Sequence, residues 1–171
     1  MEPIVTPGLR LVPATANLIQ LEIENLPRFF QQLGVEPISD WPSENLADVL
    51  PFFLDQLTSE ASLVGWLAWY WILDAPRTCQ LVGGGGFKGA PVDGCVEIGY
   101  ETRVAYRRKG IATEAVGAQV FWALNQPNVA RVLAETRGDN LGSIRVLTKL
   151  GFTLVGDDSE SRLLCYERAR E

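Results

Sequence analysis

A basic turn in the second half of the chain has the residue types best suited to holding an anion. Arg107, Arg108 and Lys109 are consecutive cations, and Gly110 follows them at the start of a helical pattern. The first backbone N–H groups of a helix have no partner within the helix, and the helix dipole is positive at this end. Such a turn binds a pyrophosphate. A solvated basic turn that ends at a glycine fits the same residues, so both interpretations stay open.

A second polar segment lies at residues 135–152. Glu135 and Thr136 end a predicted strand, and Asn140 and Ser143 follow at the start of a helical pattern. An asparagine before a helix accepts hydrogen bonds from the first turn, where polar residues are also favoured. A serine hydroxyl in that turn can instead donate a hydrogen bond to a reacting group.

A third candidate is the glycine-rich run at residues 84–89, which matches G-x-G-x-x-G. A dinucleotide fingerprint must open a helix after a strand, but residues 90–94 have the composition of a turn. No Ser or Thr follows Lys88, and the glycine spacing is wrong for a P-loop. We therefore interpret the run as a flexible strand end and hairpin loop. Nucleotide binding through it is the least favoured functional hypothesis.

The first half of the chain contains a predicted strand and two predicted helices. Breakers and cap residues bound them, because proline ends helices and polar side chains accept hydrogen bonds from the first turn. These elements are a strand at residues 9–12, a helix capped by Thr15 or Asn17 and ended by Pro27, a loop at residues 34–42, and a helix from Ser43 through Leu57.

The second half alternates strands and helices, and this order places each polar segment between a strand and a helix. Two antiparallel strands come first, at residues 66–73 and 80–82, with a turn at residues 74–77 between them. The later elements are strands at residues 95–100, 131–136 and 163–166, a helix after Gly110, and a helix at residues 143–150 that Gly151 closes.

Composition limits the chemistry that this chain can perform. Its 171 residues are enough for one domain at residues 1–171, with 47% apolar and 21% charged residues as in ordinary globular proteins. The chain has no histidine, which excludes Ser-His-Asp and Cys-His mechanisms. Its three cysteines are scattered, which argues against a disulfide framework and a zinc site.

Charge and hydropathy limit the partners. The net charge of -6 would repel the phosphates of a nucleic acid but would tolerate a cationic acceptor. No stretch reaches the roughly 18 uncharged apolar residues of a membrane span, and the N-terminus lacks a basic region followed by an apolar run. We therefore expect a cytoplasmic protein with no nucleic-acid partner and no membrane association.

The two polar segments together resemble one family. Arg107-x-x-Gly110-x-Ala112 fits the Q/R-x-x-G-x-G/A pattern of the GCN5-related N-acetyltransferases (GNAT). The N-x-x-S-x-x-x-L-x-K-L-G-F run from Asn140 to Phe152 is similar to the branch that contains the ribosomal-protein alanine acetyltransferases. The resemblance implies an α/β fold of the α+β type, with a twisted, mostly antiparallel sheet whose two central parallel strands splay apart between flanking helices.

The resemblance also implies acetyl-CoA as co-substrate, with no metal. The backbone of Tyr100, Glu101 and Thr102 would face the pantetheine arm in the gap between the splayed strands. Asn140 would lie near that arm, and Ser143 would also contact the cofactor, where its hydroxyl could reach the sulfur. The turn around the pyrophosphate would consist of Arg107, Arg108, Lys109, Gly110, Ile111, Ala112 and Thr113.

In this family an amine attacks the thioester directly. Glu97 would take the proton of the amine, directly or through water, or would only attract a cationic amine. Backbone N–H groups near Thr102 would stabilise the thioester oxygen. Many members place a tyrosine seven residues after the asparagine to protonate the thiolate, but Leu147 stands there. Ser143 would act instead, or would only help to cap its helix.

The acceptor is expected to be a primary amine, either a small molecule or a protein N-terminus. Aromatic rings suit such a pocket, since they give contact area and attract cations, and the candidates are Trp41, Trp69 and Trp71. Strand alternation sends Trp69 and Trp71 to one face, where core packing is the alternative. The rival to an N-acetyltransferase is a non-catalytic acetyl-CoA sensor. Members of the superfamily are frequently dimers, so a homodimer is a further expectation.

Overall fold

The computed structural model of the protein describes residues 1–74, 78–158 and 162–170. Within these ranges, eight strands form one sheet with the order β1-β2-β3-β4-β5-β6-β8-β7. The strands are β1 (Ile4–Val5), β2 (Arg10–Pro13), β3 (Ala68–Leu73), β4 (Gln80–Phe87), β5 (Cys95–Thr102), β6 (Arg131–Arg137), β7 (Thr153–Asp158) and β8 (Leu163–Ala169).

Five α-helices cover this sheet in the described part of the chain. They are α1 (Ala16–Glu24), α2 (Leu26–Leu33), α3 (Glu44–Ser59), α4 (Ile111–Leu124) and α5 (Leu141–Lys149). Side-chain caps start the first three, because Thr15, Asn25 and Ser43 accept from the backbone N–H groups of Leu18, Arg28 and Leu46. None of the described helices is long and apolar enough to cross a membrane.

The sheet opens at its single parallel pair in the described residues. The register between β5 and β6 ends where Glu97 lies opposite Leu133. Beyond this point β5 continues along β4 as far as Thr102, while β6 continues along β8 as far as Arg137. Each strand follows a different neighbour, so a gap lies between the second halves of β5 and β6. The predicted mixed, mostly antiparallel sheet is confirmed.

The two faces of the sheet bury separate cores. On one face Val96, Ile98 and Val132 pack with α4 and α5, which contribute side chains such as Val116 and Leu147. On the other face Tyr70, Ile72 and Leu81 of the central strands pack with α1, α2 and α3. Because side chains alternate along a strand, Glu97 and Glu135 point away from α4 and α5.

Residues 84–87 of the glycine-rich run lie inside β4, and Lys88 and Gly89 begin the hairpin loop. Residues 83–86 pair with β3 on one side and with β5 on the other. A Cβ at Gly86 would lie 1.6 Å from the carbonyl oxygen of Leu67, and one at Gly85 would lie 2.8 Å from the Trp71 ring. The run is therefore the end of a strand that leads into a hairpin loop, as interpreted from the sequence. Its glycines fit because the neighbouring backbones and the Trp71 ring leave no room for side chains. Only residues 88–94 form the hairpin loop.

Three short elements were not predicted from the sequence: β1, α2 and β7. Pro27 does follow the first helix, but it stands in the first turn of α2, where a missing N–H costs nothing. The remaining predicted elements are present with ends shifted by a few residues, and Gly151 ends α5 with a φ of 77°. Part of the predicted turn at residues 74–77 lies outside the described residues.

Candidate active site

The start of α4 exposes a set of unpaired backbone donors. Gly110 precedes the helix with a φ of 85°, and no side chain caps it. Among the described residues, the backbone N–H groups at positions 108–113 have no acceptor, and the first helical bond runs from the Glu114 N–H to the Gly110 carbonyl. Arg108 also has a left-handed φ of 61°, which turns the chain sharply here. These N–H groups can bind an anion.

The acidic residue in the first turn of α4 is held elsewhere. The Glu114 carboxylate accepts from the Thr6 hydroxyl at 2.6 Å and from the Gly8 N–H at 2.7 Å. These contacts tie α4 to the loop between β1 and β2. The Glu114 carboxylate is therefore oriented toward residues 6–8 by two neutral donors.

The cations of the turn surround the helix start. Arg107 is exposed, and its Nε donates to the Thr102 carbonyl at 3.0 Å, which joins the turn to the end of β5. Lys109 places its ammonium 5.1 Å from the ring centroid of Tyr106, and Arg108 is exposed to solvent. No acidic partner for these three side chains is present in the described part of the chain. They remain available to phosphate oxygens.

A tether links the end of β5 to the first half of the chain. Arg103 pairs with the Asp40 carboxylate and donates to the Leu81 carbonyl at 2.7 Å. Ser43 donates its hydroxyl to the Glu101 carboxylate at 2.8 Å. These contacts fix the loop at residues 40–43 against the strand that leads into the basic turn.

Two hydroxyl groups meet between β5 and α5. The oxygens of Tyr100 and Ser143 lie 2.8 Å apart, and Asn140 accepts from the Ser143 N–H as the cap of α5. Burial raises the pKa of Tyr100, so its hydroxyl stays protonated at neutral pH. Leu147 lies one turn further along α5 and is fully buried in the core. The structure therefore brings Tyr100, Asn140 and Ser143 together, with no polar group at position 147.

The carboxylates of Glu97 and Glu135 and the ammonium of Lys88 lie where β5 and β6 separate. Lys88, just after β4, forms an ion pair with Glu97 of β5 and reaches Glu135 of β6 at 3.4 Å. Partial burial raises the pKa of Glu97, Lys88 lowers it, and Glu135 raises it again, with a net upward shift. The sequence indicated Glu97 but gave no role to Lys88, because the spacing of residues 88, 97 and 135 matches no motif.

A buried carboxylate lies under the opposite side of the sheet. Glu22 of α1 is 2% exposed and accepts from the Trp41 indole at 2.8 Å and from the Tyr70 hydroxyl. Burial raises its pKa to about 7, although the two donors oppose this shift. The sequence contains a signal for it, since Glu22 falls on the same helical face as the buried Leu18 and Ile19.

The three tryptophans proposed for the acceptor pocket are all buried. Trp69 and Trp71 are at most 1% exposed in the core below α4, and their indole N–H groups donate to the Gly65 carbonyl and to Gln119. Trp41 is 3% exposed beside Glu22. Trp69 and Trp71 share one face and Tyr70 has the other, as alternation predicts. Their burial favours core packing over substrate contact.

The sheet opens between two parallel strands, and beside this opening lies a basic helix start that no side chain caps. This fold and this site are typical of an acetyltransferase. The family model described as acetyltransferase (GNAT) domain matches residues 16–153. The chain belongs to this family.

Individual relatives agree with this assignment. The chain is 33% identical over 162 residues to YjdG of Bacillus subtilis (strain 168), described as an uncharacterized N-acetyltransferase. The aligned region covers 94% of this chain and 95% of YjdG. The ribosomal-protein-S5-alanine acetyltransferase of Vibrio fischeri has a TM-score of 0.67 at 16% identity, over 100% of this chain and 98% of that one. RimL, a ribosomal L7/L12 alpha-N-protein acetyltransferase solved with coenzyme A, has a TM-score of 0.67 at 18% identity, over 98% of each chain.

Proposed function

We propose that the protein transfers the acetyl group of acetyl-CoA to a primary amine in a ternary complex. The observation that carries this proposal is the row of unpaired N–H groups at residues 108–113, next to the gap between β5 and β6. The helix start suits the pyrophosphate, and the gap suits the pantetheine arm. The match to the acetyltransferase (GNAT) domain model supports this proposal.

The residues proposed to hold the donor have room for it. Gly110 has no heavy atom within 4 Å of the position of a Cβ, so nothing fills the space above the turn. Ile111, Ala112 and Thr113 supply the first N–H groups of α4, and the cations before them add positive charge. Tyr100, Glu101 and Thr102 lie on the part of β5 that no longer pairs with β6, and Asn140 lies across the gap from them.

Glu97 is proposed to take the proton of the attacking amine. It lies at the last paired residue of β5, on the face away from α4 and α5, and its raised pKa suits a base better than that of an ordinary carboxylate. The nitrogen lone pair forms the bond to the carbonyl carbon, and the C–S bond then breaks.

Ser143 is proposed to pass a proton from water to the departing thiolate, while the proton that Glu97 accepts returns to solvent. The Ser143 hydroxyl lies 2.8 Å from that of Tyr100, and either oxygen can be the donor of this hydrogen bond. When Tyr100 donates, the Ser143 proton can point to the sulfur. Ser143 thus supplies a hydroxyl between β5 and α5, and Leu147 supplies none. Tyr100 is the residue that positions it.

Thiol release from acetyl-CoA over a panel of primary amines tests the proposal. We expect turnover with at least one amine, a loss of roughly a hundredfold or more in Glu97→Gln, and a smaller loss in Ser143→Ala. Glu97→Gln should keep its affinity for CoA. An acetyl-CoA sensor would bind CoA without turnover in any variant. That result would contradict the proposed enzyme and favour the sensor.

The acceptor is proposed to be a small amine or the N-terminus of a protein. The fold neighbours whose names specify an acceptor act on ribosomal proteins. A free α-amine on a short peptide is therefore included in the panel beside small amines. A side-by-side comparison of kcat/KM for the two groups decides between them.

A further inference from the structure

We propose that Lys88 is a site of self-acetylation, in which its side chain takes the place of the acceptor amine. This inference rests on the proposed function, because it uses the same donor and the same base. It concerns a modification of the protein itself and not the identity of its external acceptor.

The position of the Lys88 ammonium carries the inference. Nζ contacts Glu97 on β5 and lies 3.4 Å from Glu135 on β6, so it spans the two strands where their pairing ends. The gap proposed for the acyl arm begins at this point. The ammonium lies on the face away from α4 and α5, where Glu97 would receive an external amine.

Lys88 is both tethered and accessible. Its backbone N–H donates to the Glu97 carbonyl at 2.9 Å, which fixes the base of the side chain beside β5. The side chain is nevertheless 61% exposed, so it can turn toward the gap. Holding an amine this close to a reaction site raises its effective concentration far above that of a free lysine in solution.

The transfer balances as a single acetyl exchange. Nζ gives its first proton to the Glu97 carboxylate and forms the bond to the carbonyl carbon. The C–S bond breaks with its electron pair on sulfur, and the second proton from nitrogen neutralises the thiolate. The products are acetyl-lysine and free CoA thiol, and Glu97 returns its proton to water.

The same contacts make the reaction slow and dependent on pH. Partial burial lowers the pKa of Lys88 and the contacts with Glu97 raise it, with a net upward shift. Less of the amine is then neutral at a given pH than for a free lysine, so the rate should climb with pH. Acetylation removes the positive charge and releases both carboxylates from the ion pair.

The chain offers its own controls, because it has only two other lysines, Lys109 and Lys149. The full protein is incubated with acetyl-CoA and no acceptor, and acetylation at each lysine is followed by peptide mass spectrometry. We expect the rate at Lys88 to exceed the rates at the other two by at least about tenfold. Lys88→Arg should remove the signal, and Lys149→Arg should leave it in place.

Glu97→Gln separates enzymatic from chemical acetylation. It should lower the rate at Lys88 to that of Lys109 and Lys149 without changing theirs. Equal rates at all three lysines in the unmodified protein, or a Lys88 rate that Glu97→Gln does not change, would overturn the inference.

The failure of this inference and that of the proposed function look different. If CoA binds and an external amine is acetylated while Lys88 is not, only the self-acetylation is wrong. If CoA does not bind and acetyl-CoA does not lose its acetyl group, both proposals are wrong.

Discussion

Two carboxylates of this protein, those of Glu22 and Glu97, lie in different environments. Glu97 lies at the opening of the sheet with a cation and a second carboxylate beside it. Glu22 is buried with two neutral donors, and no cation among the described residues contacts it. Both pKa values are raised by burial, but only Glu97 lies where a substrate amine can reach it.

The pH profile of turnover tests the role of Glu97. Its carboxylate must be ionised to accept a proton, so activity should fall at acidic pH around a raised pKa. Glu135→Gln removes a neighbouring negative charge that contributes to this shift, and the acidic limb of kcat/KM should then move to lower pH. A limb that stays in place in Glu135→Gln would contradict the assignment of Glu97 as the base.

The stability of the protein should depend on pH through Glu22. Its pKa is about 7 in the folded protein and is that of an ordinary carboxyl in the unfolded chain, so the folded state binds the proton more tightly. This contribution is complete below the unfolded pKa and is lost as pH rises through 7, and its full size is about 3 kcal/mol.

Glu22→Gln should remove that dependence. Glutamine keeps an acceptor for the Trp41 indole and has no charge to bury, so the variant should gain stability relative to the native protein between about pH 5 and pH 8. Urea unfolding at several pH values measures it. Parallel stability curves for the two proteins would show that Glu22 does not titrate in this range.

Secondary-structure elements place these side chains, and β4 does so through four consecutive glycines at residues 83–86. Its glycines let β3 and β5 approach closely and leave room for the Trp71 ring, which packs toward Tyr100 with ring centroids 6.3 Å apart. The glycines thus help to fix β5, which carries Glu97 and leads into the basic turn.

Substitution of one glycine in this strand should be costly. Gly86→Ala puts a Cβ against the Leu67 carbonyl, and we expect a loss of at least roughly 1–3 kcal/mol in the free energy of unfolding. Gly99→Ala on β5 is the matched control, since no heavy atom lies within 4 Å of its Cβ position. Equal effects of the two substitutions in denaturant unfolding would disprove the close approach of β3 and β4.

The start of α4 depends on the backbone conformation of Gly110 and not on the space around this residue. Gly110 has a φ of 85° with open space around its Cβ position, so Gly110→Ala should cost about 1–2 kcal/mol through strain alone. The strain should also distort the anion site and weaken CoA binding. Calorimetric titration of the variant checks this, and an affinity equal to that of the native protein would count against a cradle that needs this conformation.

The sequence predicted the parts of the fold that local patterns encode. The helices α1, α3, α4 and α5, the paired central strands and the turn before α4 follow from periodicity, caps and a glycine near a basic run. The reason for the β4 glycines was not predicted because it is the non-local Trp71 ring, and glycine disfavours strands on its own. The edge strand β7 was missed because its Leu154 and Val155 are both exposed and do not alternate.

The site was predictable only where a motif names its residues. Glu97, Asn140 and Ser143 lie in recognisable runs, and the structure brings Ser143 and Asn140 together beside Tyr100. Lys88 lies in a glycine-rich run that gives it no role, and Glu22 belongs to no motif. The partners of both residues lie on other elements. Such contacts depend on how strands and helices pack, which the spacing of residues along one chain does not express.

The molecule as a whole combines an acidic surface with a local positive site. The net charge is -6, yet the start of α4 has three cations without acidic partners in the described structure and a row of free N–H groups. We expect the proposed anionic donor to bind through the local attraction of these groups, and salt that screens this attraction should lower its affinity.

Binding of CoA tests the account most directly. The protein is titrated with CoA in a calorimeter and followed by thermal unfolding, with ATP and NAD as competing phosphate ligands at equal concentration. We expect heat of binding and a rise in Tm with CoA that neither nucleotide matches, since a ligand stabilises the fold that binds it. Absence of both signals with CoA, or stronger protection by ATP or NAD, would contradict the proposed donor and the anion site at residues 108–113.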